Sequence, residues 1–280
     1  MQANCNVAPE NDKGRRQFPR AGDPFADEPP NAGGPVFDLY PGERRDTPIG
    51  HDALSSGISM KCPRIAAFFD FDQTLLEVES GYMGIRMLRE RRMLPLGYFL
   101  KVWTASLFYR RQWLSEAGMA RVLLTYYRRR PLATFEATAE SFYRTYLKPH
   151  LAPRLLDRLE NHRRDGHLLV LISGSVRYML EPVVRDLGFH HLFCTELEIG
   201  RDGLMTGRPR GPICVDRTKQ VYARELAAEA GLDLRASFAY GNHQADLPLL
   251  ESVGHPHVVE PTPVLARVAA RRNWPVLTFR

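Results

Sequence analysis

From Ile65 the run Ile-Ala-Ala-Phe-Phe is broken by no polar residue, the pattern of a short strand covered on both faces of a parallel sheet. It stops at Asp70-Phe71-Asp72-Gln73-Thr74. The period then changes to a helical block over 79–147, interrupted at Pro95, near Gln112 and at Pro131, so four helices are expected there. Phe135, Ala139, Phe142, Tyr143 and Tyr146 fall at i, i+4, i+7, i+8 and i+11 and form one apolar stripe. Strand and helix patterns alternate after that. A helix is predicted over 152–164, and a strand over 168–172 runs into Ser173-Gly174-Ser175 with a helix behind it. Short strands are predicted near 192–195 and 236–240, helices near 216–230 and 245–252, and terminal strands at 257–259 and 276–279. This alternation predicts an α/β protein with a doubly wound, Rossmann-like parallel sheet.

Residues 1–60 show neither period and hold 8 Pro and 7 Gly. Such a segment buries too little apolar area to offset chain entropy and is predicted to be a disordered leader. Met60-Lys-Cys-Pro leads straight into the first strand, so a start at Met60 is an alternative reading. The expected organisation is a leader over 1–60, an α/β core over 61–78 and 149–280, and a helical insert over 79–148.

With 280 residues, 44% hydrophobic and 25% charged, the folded part can bury a sizeable core, and collagen-like and disulfide-scaffold classes are excluded. The four cysteines form no C-x-x-C pair. They read as reduced thiols, which favours the cytoplasm. The longest apolar stretch, 94–108, contains Lys101 and is short for a bilayer span; the amino terminus lacks the apolar centre of a signal peptide.

The formal charge of +6 is unevenly placed. Residues 1–60 sum to −3, whereas 83–148 hold 13 basic and 4 acidic residues together with 12 of the 28 aromatics. An excess of +9 in one segment suits an anionic substrate, an anionic membrane surface or nucleic acid. No nucleic-acid motif accompanies it, so a small anionic substrate or a phospholipid headgroup ranks first and nucleic acid is not expected. That whole segment is the expected source of the attraction, and Arg128, Arg129 and Arg130 are a run of charge within it at which it can be tested. Oligomeric state is left open by the sequence.

Ligands of open α/β sheets bind beyond the carboxyl ends of the strands. Three polar clusters stand there: Asp70 and Asp72, Ser173-Gly174, and Gly241-Asn242 with Asp246. Two carboxylates one residue apart can divide labour between nucleophile or metal ligand and proton carrier. Asp70, the Asp72 carbonyl, Asn242 or Asp246 offer the hard oxygens that Mg²⁺ takes. Ser173 supplies a hydroxyl, with amide groups after it, for phosphoryl oxygens, and Lys219 near a helix start could neutralise charge.

The order D-F-D-x-T-L, L-I-S-G-S, a lone Lys, and A-Y-G-N-x-x-x-D-L-P-L-L-E over residues 64–280 resembles the haloacid dehalogenase superfamily of aspartate-nucleophile phosphatases. The helical insert is similar to the cap of its phosphoserine-phosphatase-like subfamily, as is the tail G-x-P-x-x-V-x-P-T-P-x-L with N-W-P-V-L. The resemblance implies that Asp70 is the nucleophile and Asp72 the acid and base. It also implies that Thr74 braces the loop, and that Thr74, Ser173, Gly174 and Lys219 form the phosphate site. Glu79 lies where such enzymes place an acid for a substrate amine. Mg²⁺ is the implied cofactor, held by Asp70, Asp72, Asn242 and Asp246. Two positions depart from the family pattern. Asn242 stands where Asp is usual, which removes a charged ligand. Ala245 stands where phosphoserine phosphatases usually carry Asn, which argues against phosphoserine as substrate. The alternative readings are a catalytically weak phosphate-binding or regulatory protein, and a basic membrane-surface or nucleic-acid binder.

Overall fold

The computed structural model describes residues 64–111 and 113–279; the expected leader over 1–60 lies outside them. Strand β1, Ala66–Phe69, is fully buried along its length. It lies at the centre of a six-stranded parallel sheet with β2 (Leu168–Val176), β3 (His191–Thr195), β6 (Phe238–Gly241), β7 (His255–Val259) and β8 (Val276–Leu277). The order is β3-β2-β1-β6-β7-β8. A separate antiparallel hairpin joins β4 (Leu197–Ile199) to β5 (Met205–Pro209).

The uninterrupted apolar run of β1 follows from its having two cores to fill. Ala67 and Phe69 point to one side of the sheet with Leu171, Leu155 and Leu180. Ala66 and Phe68 point to the other with Val170, Ala239, Leu249 and Leu265, the two-residue period of a pleated strand. Phe69 stands level with Leu171 of β2 and Tyr240 of β6. That register brings the exits of three strands to one edge, with Asp70, the 173–175 segment and Asn242 side by side.

The block over 79–147 forms four α-helices as expected: α1 (Ser80–Glu90), α2 (Leu96–Arg110), α3 (Glu116–Leu124) and α4 (Ala133–Phe142). Pro95 is the residue just before α2, where its missing N–H costs nothing. Ser115 caps α3 by accepting from the Gly118 amide at 3.1 Å. The chain leaves the core after Leu76 and returns at Leu151; these two residues bridge, and the Ala152 amide donates to the Leu75 carbonyl at 2.9 Å.

The remaining α-helices are α5 (Pro153–Arg164), α6 (Arg177–Leu187), α7 (Arg217–Ala230), the short α8 (Leu247–Leu250) and α9 (Pro263–Arg272). Three features depart from the sequence expectation. First, β2 does not end at Ile172; it continues through Ser173-Gly174-Ser175 to Val176, with a register shift against β3. The Thr195 hydroxyl donates to the Gly174 carbonyl at 2.7 Å and supports this extension. Second, the β4–β5 hairpin was not expected. It is tied to the helical block by the Arg129 amide on the Met205 carbonyl (2.8 Å) and the Met205 amide on the Arg130 carbonyl (2.9 Å). Third, α9 was not expected, although Thr262 caps it and Pro263 opens it. No helix among the described residues is long and apolar enough to cross a membrane.

Candidate active site

Asp70 is 5% exposed at the end of β1, and its amide donates to the Tyr240 carbonyl at 3.0 Å. One carboxylate oxygen accepts from Lys219 Nζ at 2.6 Å and the other from the Thr74 hydroxyl at 3.2 Å. Lys219 projects from the first turn of α7, is 2% exposed, and donates equally to Asp246 at 2.6 Å. The second Asp246 oxygen takes the amides of Asn242 (3.1 Å) and His243 (3.0 Å). Gly241 is required by this turn: a Cβ there would lie 2.7 Å from the Asp246 side chain.

Asp72 is held from two elements. The Ser80 amide at the start of α1 donates to one oxygen at 2.5 Å, the Ser175 hydroxyl donates to the other at 2.8 Å, and the two serine hydroxyls lie 2.7 Å apart. Asn242 donates through its side chain to Gln73 (3.1 Å), and Gln73 in turn donates to Glu79 (2.9 Å). His243 Nδ1 is 2.8 Å from Glu116 of α3 and 3.3 Å from the Ala245 amide. One nitrogen cannot donate to the first and accept from the second. The shorter, charge-assisted contact makes this an ion pair that joins the helical block to the loop after β6.

Burial raises Asp70, up to about 8, against the Lys219 charge that holds it down. Burial also raises Asp72, opposed by the Ser80 and Ser175 hydrogen bonds, and raises Glu79, aided by the charges of Asp72 and Glu116. Lys219 goes well above its ordinary value because Asp246 and Asp70 together outweigh its desolvation. His243 is raised as well, its burial outweighed by Glu116. Among the described residues two buried carboxyl groups, Asp70 and Asp246, share one buried ammonium, and Asp72 stands beside them.

These groups open into a cavity of about 230 Å³. Asp70, Asp72, Glu79, Ser175 and Asn242 line its polar end; Ile85, Leu88, Leu123, Phe135 and Phe142 line its apolar end. Thr74, Ser173 and Lys219 act from behind this wall. Ser173 is fully buried with its hydroxyl accepting from the Ser175 amide at 3.1 Å, and Gly174 lines the cavity beside Val215, where a Cβ on it would lie 2.9 Å from the valine side chain. Among the described residues no Lys or Arg lines the cavity. Arg128, Arg129 and Arg130 lie off the cavity wall, so any attraction they exert on substrate acts at a distance. The Arg130 guanidinium stacks 4.0 Å over Tyr126 and donates to the Tyr126 carbonyl, and Arg128 and Arg129 pack on the hairpin at Gly207 and Met205.

A haloacid dehalogenase-like hydrolase family model matches residues 67–251, spanning all of these groups. The chain belongs to that family. It is 32% identical over 228 residues, 78% of this chain and 79% of the relative, to an "inhibition of morphological differentiation protein" of Streptomyces azureus. It is 30% identical over 219 residues, 77% and 76% of the two chains, to a probable phosphatase of Mycobacterium tuberculosis. Its fold is that of a phosphoserine phosphatase solved as a phospho-aspartyl intermediate analogue, with a TM-score of 0.59, 17% identity, and coverage of 78% of this chain and 94% of that one. The haloacid dehalogenase-like hydrolase fold thus has the expected parallel α/β architecture, and the protein is a hydrolase.

Sequence reasoning missed Ser80, Ser175, Gln73 and the Glu116–His243 pair. Ser175 was legible: residues alternate in a strand, so once β2 extends past Ile172 the second serine shares a face with the first. Glu116 carried no local signal, because its partner lies over a hundred residues away.

The donor set can be weighed against Mg²⁺. Asp70, Asp72, Asn242 and Asp246 offer oxygen alone, the ligand type a hard cation takes, and the surplus of buried carboxylate is what a divalent ion would neutralise. The residues fit in chemistry. Among the described residues no three His, Cys, Asp or Glu side chains already converge as a cluster; Asp246 is engaged by Lys219 and two amides.

Proposed function

We propose that the protein is a Mg²⁺-dependent phosphomonoester phosphatase working through an aspartyl-phosphate. The observation that carries this reading is Asp70: a buried carboxylate at a strand exit, fixed by Lys219 and Thr74 and open to the cavity, with Asp72 two residues on. Asp70 attacks phosphorus, an Oδ–P bond forms, and the P–O bond to the leaving group breaks as Asp72 passes its proton to that oxygen. Water then attacks phosphorus, Asp72 takes the water's proton, and the Asp70–phosphorus bond breaks to release phosphate. Burial favours the protonated Asp72 needed first, and the Ser175 and Ser80 donors favour the carboxylate needed second. Ser173, Gly174 and Lys219 steady the phosphoryl oxygens. Asp70, Asp72, Asn242 and Asp246 would hold Mg²⁺, which supplies charge neutralisation at the phosphoryl group.

Residues 79–148 serve as the cap over this site, on a core formed by 61–78 and 149–280. The substrate is a small phosphorylated metabolite or a lipid headgroup phosphate. The relative named a probable phosphatase supports the reaction class, and Glu79 offers a partner for an amine. Among the described residues the cavity wall offers no Lys or Arg to a free carboxylate, which disfavours substrates that carry one, phosphoserine among them. Cys194 and Cys214 are free and buried, in keeping with the cytoplasm.

The test is turnover of p-nitrophenyl phosphate by wild type and Asp70→Asn, with acid-quenched wild type examined for phosphate on Asp70. The variant should keep its fold and lose at least about a thousandfold in kcat. Near-normal turnover by folded Asp70→Asn rejects the mechanism.

A further inference from the structure

Helix α2 is apolar on both sides. Its inner side carries Tyr98 and Tyr109, which line the cavity, and the buried Val102 and Ala105. On the opposite side Leu96, Phe99, Leu100, Trp103 and Leu107 fall at i, i+3, i+4, i+7 and i+11. They are 72%, 42%, 49%, 54% and 36% exposed. A helix that is apolar all round is stable when both sides are covered, and among the described residues nothing covers this stripe. Phe108 and Trp113, 50% and 73% exposed with ring centroids 5.9 Å apart, extend it past the end of the helix.

The surroundings of the stripe are cationic. Lys101, Arg110 and Arg111 are exposed on or beside the helix, and Arg89 and Arg92, a few residues before it in sequence, are exposed as well. Between 83 and 115 the single acidic residue is Glu90, which is paired with Arg86 at 2.9 Å. A second copy of the chain would bring the same positive charge to the contact and be repelled. Leu, Phe and Trp on one helical face, rimmed by Lys and Arg, is instead the composition of a helix lying in the interface of an anionic bilayer.

We propose that the outer face of α2 docks the protein on an anionic lipid surface. Leu96, Leu100, Trp103 and Leu107 enter the headgroup and acyl boundary, and Lys101, Arg110 and Arg111 stay at headgroup level. The docking is independent of the phosphatase reading, since none of these side chains belongs to the site around Asp70.

The experiment is co-sedimentation of the full chain with vesicles of phosphatidylcholine alone and of phosphatidylcholine mixed with an equal amount of phosphatidylglycerol. Wild type should sediment with the mixed vesicles, stay in solution with phosphatidylcholine, and be released at about 1 M salt, where the Debye length falls to about 3 Å. Arg110→Ser with Arg111→Ser should weaken binding about fivefold for each arginine removed. Leu100→Ser with Trp103→Ser should weaken it at least about tenfold. Both double variants should keep the wild-type melting temperature and p-nitrophenyl phosphate turnover, so that lost binding is not lost fold. The proposal is overturned if wild type ignores the mixed vesicles or if the variants bind as wild type does. It is overturned equally by a dimer that dissociates in the Leu100→Ser, Trp103→Ser protein. Binding that arises only after residues 1–59 are removed would assign the face to the chain's own acidic leader, and also overturns it.

Discussion

His162 should make the stability of this protein fall steeply in mild acid. It projects from α5 against the sheet, 6% exposed, with Nε2 2.8 Å from the Tyr240 hydroxyl and Nδ1 2.8 Å from Nδ1 of His167. Phe69 packs edge-on at 6.0 Å and Phe238 at 4.6 Å. Burial in this aromatic setting, with His167 adding to it, lowers the imidazole from 6.5 to about 4. The folded chain therefore resists a proton that the unfolded chain accepts. Stability is complete above the unfolded value of 6.5 and is lost as pH falls toward 4. At about 1.36 kcal/mol per pH unit, about 2 kcal/mol is lost by pH 5 and about 3 kcal/mol by pH 4. The assay is urea unfolding followed by far-ultraviolet circular dichroism at pH 7.5 and 5.0, for wild type and His162→Gln. Glutamine keeps a polar end of similar reach and does not titrate. The variant starts less stable at pH 7.5, but its loss on acidification should be smaller than that of wild type by about 2 kcal/mol. His191 and His257, also lowered by burial, titrate in both proteins and cancel in the difference. Parallel losses, within about 0.5 kcal/mol, would refute the argument, because they would mean that His162 is protonated in the folded chain as readily as in the unfolded one.

Three further outcomes concern the site. Lys219→Met strands Asp246 beside Asp70 without their shared ammonium, and should lower unfolding free energy by about 3 kcal/mol or more in chemical denaturation while abolishing turnover; an unchanged midpoint would show that the pair is not buried in solution. Ser175→Ala removes a donor that stabilises ionised Asp72, so the Asp72 pKa should rise further and the alkaline limb of the kcat profile should move to higher pH; an unmoved profile would separate Ser175 from the proton carrier. Asn242→Asp restores a formal charge among the oxygen donors and should lower the Mg²⁺ concentration giving half-maximal turnover, whereas an unchanged value would take Asn242 out of the metal's reach.

The elements that could be read from the chain are those whose signal is local. β1 lies within a run of five apolar residues, 65–69, ended by aspartate, and Pro95 and Pro131 mark helix limits by backbone chemistry. The β4–β5 hairpin was harder, because its strands are short and do not alternate cleanly; its one sharp cue is Asp202-Gly203 at the turn, where Gly203 takes a positive φ of 75°. Thr262-Pro263 was an equally local start signal for α9. Lys219 shows the opposite limit. In sequence it is one lysine near a helix start, a position usually solvated, and its importance comes from a three-body contact with residues 149 and 27 positions away. The Glu116–His243 pair is invisible for the same reason.

The closure at Leu75 and Ala152 bears on how the chain folds. β1 and β2 are neighbours in the sheet, yet the segment joining them runs from Phe69 to Leu168. A crossover of this kind needs about a dozen residues; this one is about eight times longer, roughly three doublings, and so adds about 1.8 kcal/mol of loop-closure entropy. That cost falls on the central pairing of the core, and pairings between residues so far apart in sequence slow folding. The short bridge between Leu76 and Leu151 is where the loop could be cut out at its neck. A chain so shortened should refold faster than the parent, and it would do so without Ile85, Leu88, Leu123, Phe135 and Phe142, which line the cavity that Asp70 faces.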